Sequence, residues 1–261
     1  MAVVPGSGGE ILVADPGVQG VHRFEPSRGR HDLVRGPGGM PFPSPVGLAA
    51  GPGGEVYLAD SALRQIFVIR PGEDRAAPLP RQAPLEQPTA VAVDGDGKFL
   101  YVVDTGAHRI RVLGTDGALL RTIGERGSGN GQFNYPTALW RDRRGRLFVA
   151  DSLNFRIQRF GPDGSFQASF GRAGDGSGDL ARPKGIAVDP DGHVWLVDSL
   201  FHAVQLFSES GEFLLSFGGQ GGGRGEFWLP AGIFIDPGGT VYVADSRNRR
   251  VQVFRYIGGA S

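Results

Sequence analysis

The sequence predicts an all-β fold, a six-bladed β-propeller of four-stranded antiparallel blades whose last blade is incomplete, in one domain over residues 1–261. Three observations predict it. First, the phrase VYVADSRNRRVQVF at 241–254 recurs in degenerate form five more times, always turning at an aspartate: Asp15, Asp60, Asp104, Asp151, Asp198 and Asp245. Second, these aspartates are 45, 44, 47, 47 and 47 residues apart, the period of a propeller blade. Third, the apolar runs between turns are short and rich in Val, Ile, Leu and Phe, with no helical period.

Blade 5 shows the elements in order, with GIAVD at 185–189, HVWLVD at 193–198, AVQLF at 203–207 and EFLLSF at 212–217 as its four strands. Corners of D-x-x-G form (DGDG at 94, DRRG at 142, DPDG at 189, DPGG at 236) separate first from second strands, glycine supplying the positive φ of a tight turn. Closing the blades into a ring protects sheet edges that separate blades would expose. Counting gives 23 strands. Ala2 to Val4 align with a first strand, and only IGGAS follows RVQVFRY, so the reading expects a chain shortened at an end, with a fourth strand of blade 6 absent or weakly formed near Ile257.

Composition narrows the function classes. Lys plus Arg equals Asp plus Glu at 27 each, so no global field draws nucleic acid or an acidic membrane. The arginine groups at 141–146 and 247–255 read as solvated turns and strand ends. Without cysteine there are no disulfides or thiolate metal sites. No apolar run is long enough to span a membrane and MAVVPGSGG is no signal peptide, which leaves the compartment open.

The phrase ADSRNRRVQVF, the loop GRGEFWLPAGIFID and the block ARPKGIAVDPDGHVWLVD resemble NHL repeats, most closely those of bacterial NHL-repeat proteins, many of which are exported or lipid-anchored. The resemblance implies a six-bladed propeller that most often works as a binding platform. It also implies two rival activities, since some NHL domains bind RNA and a lyase that releases peptide amides has a similar fold.

The long loops lie on one face of the propeller, the top, which is where a site is expected. The glycine-rich loops GERGSGNGQFNYP and GGQGGGRGEFWLP lack the phosphate-binding G-x-x-x-x-G-K-[ST] pattern and lead into no helix. Their recurring apolar residue (Phe42, Leu85, Phe133, Leu180, Phe227) reads as core. The six aspartates read as structural corners: five precede Ser or Thr, pairs that hydrogen-bond the backbone of a turn, and one carboxylate per blade is too spread to share an ion. The ring after each loop proline, Val46, Thr89, Thr137, Lys184 and Ala231, offers no carboxylate or histidine at the pore mouth. The histidines occupy different repeat positions, apart from His108 and His202, so no three-histidine zinc site is visible.

What varies on the top face is an apolar group: Tyr135, Leu153, Phe155, Leu200, Phe201 and Trp228. Such a group near arginines fits a protein interface. The reading therefore expects a non-enzymatic, monomeric scaffold that recognises a partner protein through these residues, with no cofactor or metal. A lyase or hydrolase with a pore-mouth site, or a single-stranded RNA binder, is the alternative.

Overall fold

The computed structural model describes residues 1–81 and 84–255. Among these residues, alternating β-branched and aromatic runs punctuated by glycine turns give 23 strands and four single 3-10 turns. Blade 1 consists of β1 (Ala2–Pro5), β2 (Ile11–Asp15), β3 (Gly20–Glu25) and β4 (Arg30–Val34). Blade 2 runs through β5 (Pro45–Ala50), β6 (Val56–Asp60), β7 (Gln65–Ile69) and the two-residue β8 (Ala77–Pro78). Blade 3 follows as β9 (Pro88–Val93), β10 (Phe99–Asp104), β11 (Arg109–Gly114) and β12 (Leu119–Ile123). Blade 4 has β13 (Pro136–Arg141), β14 (Leu147–Asp151), β15 (Arg156–Phe160) and β16 (Phe166–Phe170). Blade 5 has β17 (Pro183–Val188), β18 (Val194–Asp198), β19 (Ala203–Phe207) and β20 (Phe213–Gly218). Blade 6 is three-stranded among the described residues, with β21 (Pro230–Ile235), β22 (Thr240–Asp245) and β23 (Arg250–Arg255). The expected weak strand near Ile257 lies outside the described residues.

Each blade is an antiparallel meander whose first strand lies innermost, and neighbouring first strands touch all round the ring, β21 reaching β1 to close it. The core is a set of wedges, one between each pair of blades. Phe42, Leu85, Phe133, Leu180 and Phe227 each anchor one of five successive wedges. In the sixth wedge, between blades 6 and 1, the buried cluster among the described residues is Val3, Val13 and Ala244.

The corner aspartates tie loop to blade. Asp151, wholly buried, accepts from the Asn134 amide (2.7 Å), Asn154 Nδ2 (2.8 Å), Arg156 Nε (2.8 Å) and Gln158 Nε2 (3.0 Å). Asp245 repeats this set with Trp228, Asn248, Arg250 and Gln252. The same side chains reach on into the glycine-rich loop: Asn154 donates to the Gly127 carbonyl, Arg156 to those of Gly129 and Gln132, and Gln158 to that of Gln132. The glycines thus let the loop fold flat on its own blade. At Gly124, with φ of 79°, a Cβ would stand 2.3 Å from the Phe133 ring.

The hydroxyl beside the aspartate does not serve its own turn, as the sequence reading had it. It reaches the next blade: Ser61 donates to the Pro88 carbonyl, Thr105 to Pro136, Ser152 to Pro183 and Ser199 to Pro230. At the last seam Ser246 Oγ is buried without a partner among the described residues.

Asp151→Ala should therefore destabilise the fold by about 3 kcal/mol or more, because it strands the Arg156 guanidinium and several buried donors together. Asp175→Ala, on an exposed loop, should cost no more than about 0.5 kcal/mol. Chemical denaturation of both variants checks this, and equal midpoints would show that the corner is dispensable.

Candidate active site in the axial channel

A channel of about 350 Å³ runs along the axis, lined mainly by the six innermost strands. Its upper mouth is built by a repeated irregularity. In β5, β9, β13, β17 and β21 the pairing register skips one residue after the proline, and the skipped residues are Val46, Thr89, Thr137, Lys184 and Ala231. A bulge of this kind re-aims a side chain. Below it the strands crowd the axis: a Cβ on Gly185 would lie 2.7 Å from the Ala231 carbonyl oxygen.

Lys184 is the one ionisable side chain in this ring of five. The two threonines beside it are spent on inter-blade contacts, Thr89 with Thr105 and Thr137 with Ser152. Lys184 itself is half-buried and has no hydrogen-bond or ion-pair partner among the described residues. Burial lowers its pKa from the ordinary lysine value, and the positive charge of Arg182 adds to the shift. A lysine so placed holds more of its amine neutral near pH 7, as a base or nucleophile requires.

Deeper in the channel, Trp140 of β13 and Phe234 of β21 meet edge to face, centroids 5.3 Å apart, across the intervening blade 5. The equivalent positions elsewhere are Val4, Ala49, Ala92 and Ala187. At the lower mouth the D-x-x-G carboxylates are all engaged. Asp94 caps the Lys98 and Phe99 amides, Asp142 holds Arg146, and Asp236 accepts from Gly238 and Thr240. Asp189 accepts from His193 Nδ1 and Trp195 Nε1. Asp189, Asp191 and His193 bring donor atoms within 4.8 Å of one another, but a cation there would have to compete with those two ring N–H groups for Asp189.

None of the residues in the expected recognition patch lines the channel. Tyr135, Leu153, Leu200 and Trp228 are 43%, 52%, 53% and 47% exposed on the top face. Phe155 is half-buried against the wedge between blades 4 and 5, and Phe201, also half-buried, stands where blades 4 and 6 have Asn154 and Asn248. The sequence reading did not single out Lys184 as a candidate functional residue, although its singularity within the ring was visible. It also missed the work of the two matched histidines. His108 Nδ1 accepts the Tyr135 amide (3.2 Å) and His202 Nδ1 the Leu229 amide (3.0 Å), in each case from the loop of the next blade. Those two loop residues take positive φ of 49° to make the bond.

Residues 6–217 match the SMP-30/Gluconolactonase/LRE-like region, and residues 227–254 match the NHL repeat. No curated protein matches the chain in sequence. Among solved structures, streptogramin B lyase is similar with a TM-score of 0.68 at 14% identity, over 96% of this chain and 77% of that one. A catalytically inactive virginiamycin B lyase from Staphylococcus aureus with quinupristin gives 0.67 at 16%, over 97% and 83%. A structural-genomics protein of unknown function from Bacteroides thetaiotaomicron gives 0.76 at 16%, over 97% and 68%. These identities show a shared fold. The family match covers most of the chain, which belongs to the SMP-30/gluconolactonase/LRE-like family. Membership of this family points to an enzyme-type propeller, so the expectation of a non-enzymatic scaffold is corrected. Its premise, a pore mouth without carboxylate or histidine, overlooked a desolvated lysine.

The sign of the Lys184 shift gives a prediction about stability. Between its lowered folded value and the ordinary lysine value, the unfolded chain binds a proton that the folded chain does not, so this group makes stability rise with pH through that window. Below the window the folded protein bears the cost of a poorly solvated ammonium. Lys184→Met should raise the melting temperature at neutral pH, and the gain should shrink as pH rises toward the ordinary lysine value. A gain independent of pH would assign it to packing instead.

Proposed function

We propose that this member of the SMP-30/gluconolactonase/LRE-like family is a hydrolase or lyase that holds a small molecule in the axial channel and uses Lys184 as its proton acceptor. The observation that carries the reading is the half-buried, unpartnered amine at the mouth of an axial channel of about 350 Å³, within the usual size of small-molecule sites. Membership of a family named for a lactonase, and the likeness of the fold to that of streptogramin B lyase, support it.

Both reaction types begin with the same transfer. In a hydrolysis, the Lys184 lone pair takes a proton from water as the water oxygen bonds to an acyl carbon; the acyl–oxygen bond then breaks and the leaving alkoxide takes that proton back. In an elimination, the amine takes the proton from the carbon beside a carbonyl. The C–H electron pair becomes a C=C bond while the bond to the leaving group breaks, and the leaving group departs with its electron pair. Deeper in the channel, Trp140 and Phe234 supply an apolar wall against which the rest of the molecule packs, which holds its reacting group at Lys184.

The test is turnover of a panel of aliphatic lactones and cyclic ester-linked peptides, read by mass spectrometry. Hydrolysis adds one water to the mass and ring opening by elimination leaves it unchanged. Lys184→Met should lower kcat/KM by about a hundredfold or more, with folding intact. In the unaltered protein kcat/KM should rise with pH to a plateau, with a midpoint below the ordinary lysine value. A Lys184→Met variant as active as the parent on a substrate that is turned over would remove the lysine from the mechanism.

A further inference from the structure

The lower part of the channel carries an arginine, Arg141, that is half-buried and makes no ion pair among the described residues. Arg141 ends β13, at the level held by Ala50 in β5, Val93 in β9, Val188 in β17 and Ile235 in β21. Of the arginines around it, Arg143 is exposed, and Arg144, Arg146 and Arg159 are paired. Arg146 bonds Asp142 (2.7 Å) and Glu209, Arg144 reaches Glu209 (3.4 Å), and Arg159 lies 3.7 Å from the same carboxylate. Glu209 thus gathers three arginines, and Asp142 is held by Arg146. Arg141 makes no side-chain hydrogen bond or ion pair with a described residue, and its Nε is buried without an acceptor.

What Arg141 does have is a platform: its guanidinium carbon lies 5.8 Å from the centre of the Tyr101 ring. Tyr101 pairs in register with Ala92, the small residue that leaves the channel open on the blade 3 side. Stacking on an aromatic face fixes the plane of a guanidinium while leaving its N–H edge free to bind. A guanidinium cannot shed its proton, so Arg141, with no ion pair among the described residues, keeps its full charge at the channel wall.

We propose that Arg141 is an anion-binding subsite of the channel and that the substrate is a carboxylate-bearing molecule, its acid group on Arg141 and its reacting carbonyl near Lys184. This rests on the channel being the substrate site. A planar carboxylate matches the guanidinium fork with two parallel hydrogen bonds. Lys184 and Val188, which shares the level of Arg141, are four residues apart on β17, or roughly 13 Å at the rise of a strand. Allowing for the two side chains, the acid and the reacting carbonyl are separated by an apolar stretch on the order of 10 Å or less, which passes Trp140 and Phe234. The substrate class is therefore an amphiphilic acid with an ester, lactone or comparable carbonyl at its far end.

The probes are 6-phenylhexanoate and its neutral counterpart 6-phenylhexanamide, with binding followed by calorimetry and by the shift of the Trp140 indole N–H, assigned with Trp140→Phe. The acid should bind about tenfold or more tightly than the amide. Arg141→Gln should abolish that preference without weakening the amide, and Arg141→Lys should restore part of it, with melting temperatures confirming that both variants fold. Lys184→Met should leave the preference for acid intact. Equal affinity for acid and amide, a preference that survives Arg141→Gln, or no binding of either probe in the channel would overturn the proposal. Because the readout is binding, loss of the Lys184 mechanism would leave this result standing, and the reverse also holds.

Discussion

The structure depends on a carboxylate that water does not reach. In blades 2 to 6 the corner aspartate is wholly buried, and each accepts hydrogen bonds from the amides of the loop entering its own blade. A buried charge is tolerated only when its acceptor positions are filled, and here the backbone fills them. The loop is fixed as a result, and with it the proline that starts the innermost strand. In blades 2 to 5 the hydroxyl next in sequence binds the proline carbonyl of the following blade, so each of these blades positions the start of its neighbour. The pore mouth is a product of this chain of contacts, because the skipped residue follows the proline directly. Lys184 stands where it does because Asp198 holds the amides of Ala181 and Arg182 while Ser152 holds the Pro183 carbonyl.

What was legible in the sequence is what repeats. The blade boundaries, the corners, the wedge anchors such as Phe133 and Phe227 and the short sixth blade all follow from matching one unit against the next, because each makes the same contact every time. Relations between blades were not legible, since they exist only after closure. Nothing in DSL or DTG says that the hydroxyl leaves its own turn, and nothing in the position of His108 says that it accepts the amide of Tyr135 27 residues on. The pairing of Trp140 with Phe234 skips a whole blade. Lys184 was legible as a residue and not as a site, because its chemistry comes from desolvation by neighbours that meet it only at the axis.

The loop tips show how one repeat supports different surfaces. Blades 4 and 6 hold their glycine-rich loops with an Asn, an Arg and a Gln beneath the aspartate. Blade 5 keeps only Gln205, which bonds the Asp179 carbonyl and the Gly178 amide. Its loop is instead braced by the Arg172–Asp179 pair at 2.6 Å. Once the loop holds itself, the asparagine position has no polar duty, and Phe201 occupies it half-buried. The apolar character of that tip thus has a local cause, which separates it from the exposed Leu200 and Trp228 on the same face.

Symmetry gives a criterion for separating fold from function in this molecule. The mechanical demand on an innermost strand is nearly the same in all blades: a small residue where strands crowd the axis, an apolar one where blades pack, a bulge at the mouth. A residue that meets the demand recurs, as Gly47, Gly185 and Gly232 do. A residue that departs from it in one blade is not required by the propeller and must be retained against its cost. Lys184 carries a desolvated amine where Val46 and Ala231 serve, Trp140 and Phe234 fill space that alanine leaves open, and Arg141 buries an unanswered N–H where Val93 and Val188 suffice. All four lie on blades 4 to 6, whose corner aspartates are the most evenly spaced of the six. The side chains of those blades that depart from the repeat line one channel. Two cationic groups at different depths with an aromatic pair between them form a gradient that ring closure alone does not call for, and a molecule with an acid at one end and a reactive carbonyl at the other is its complement.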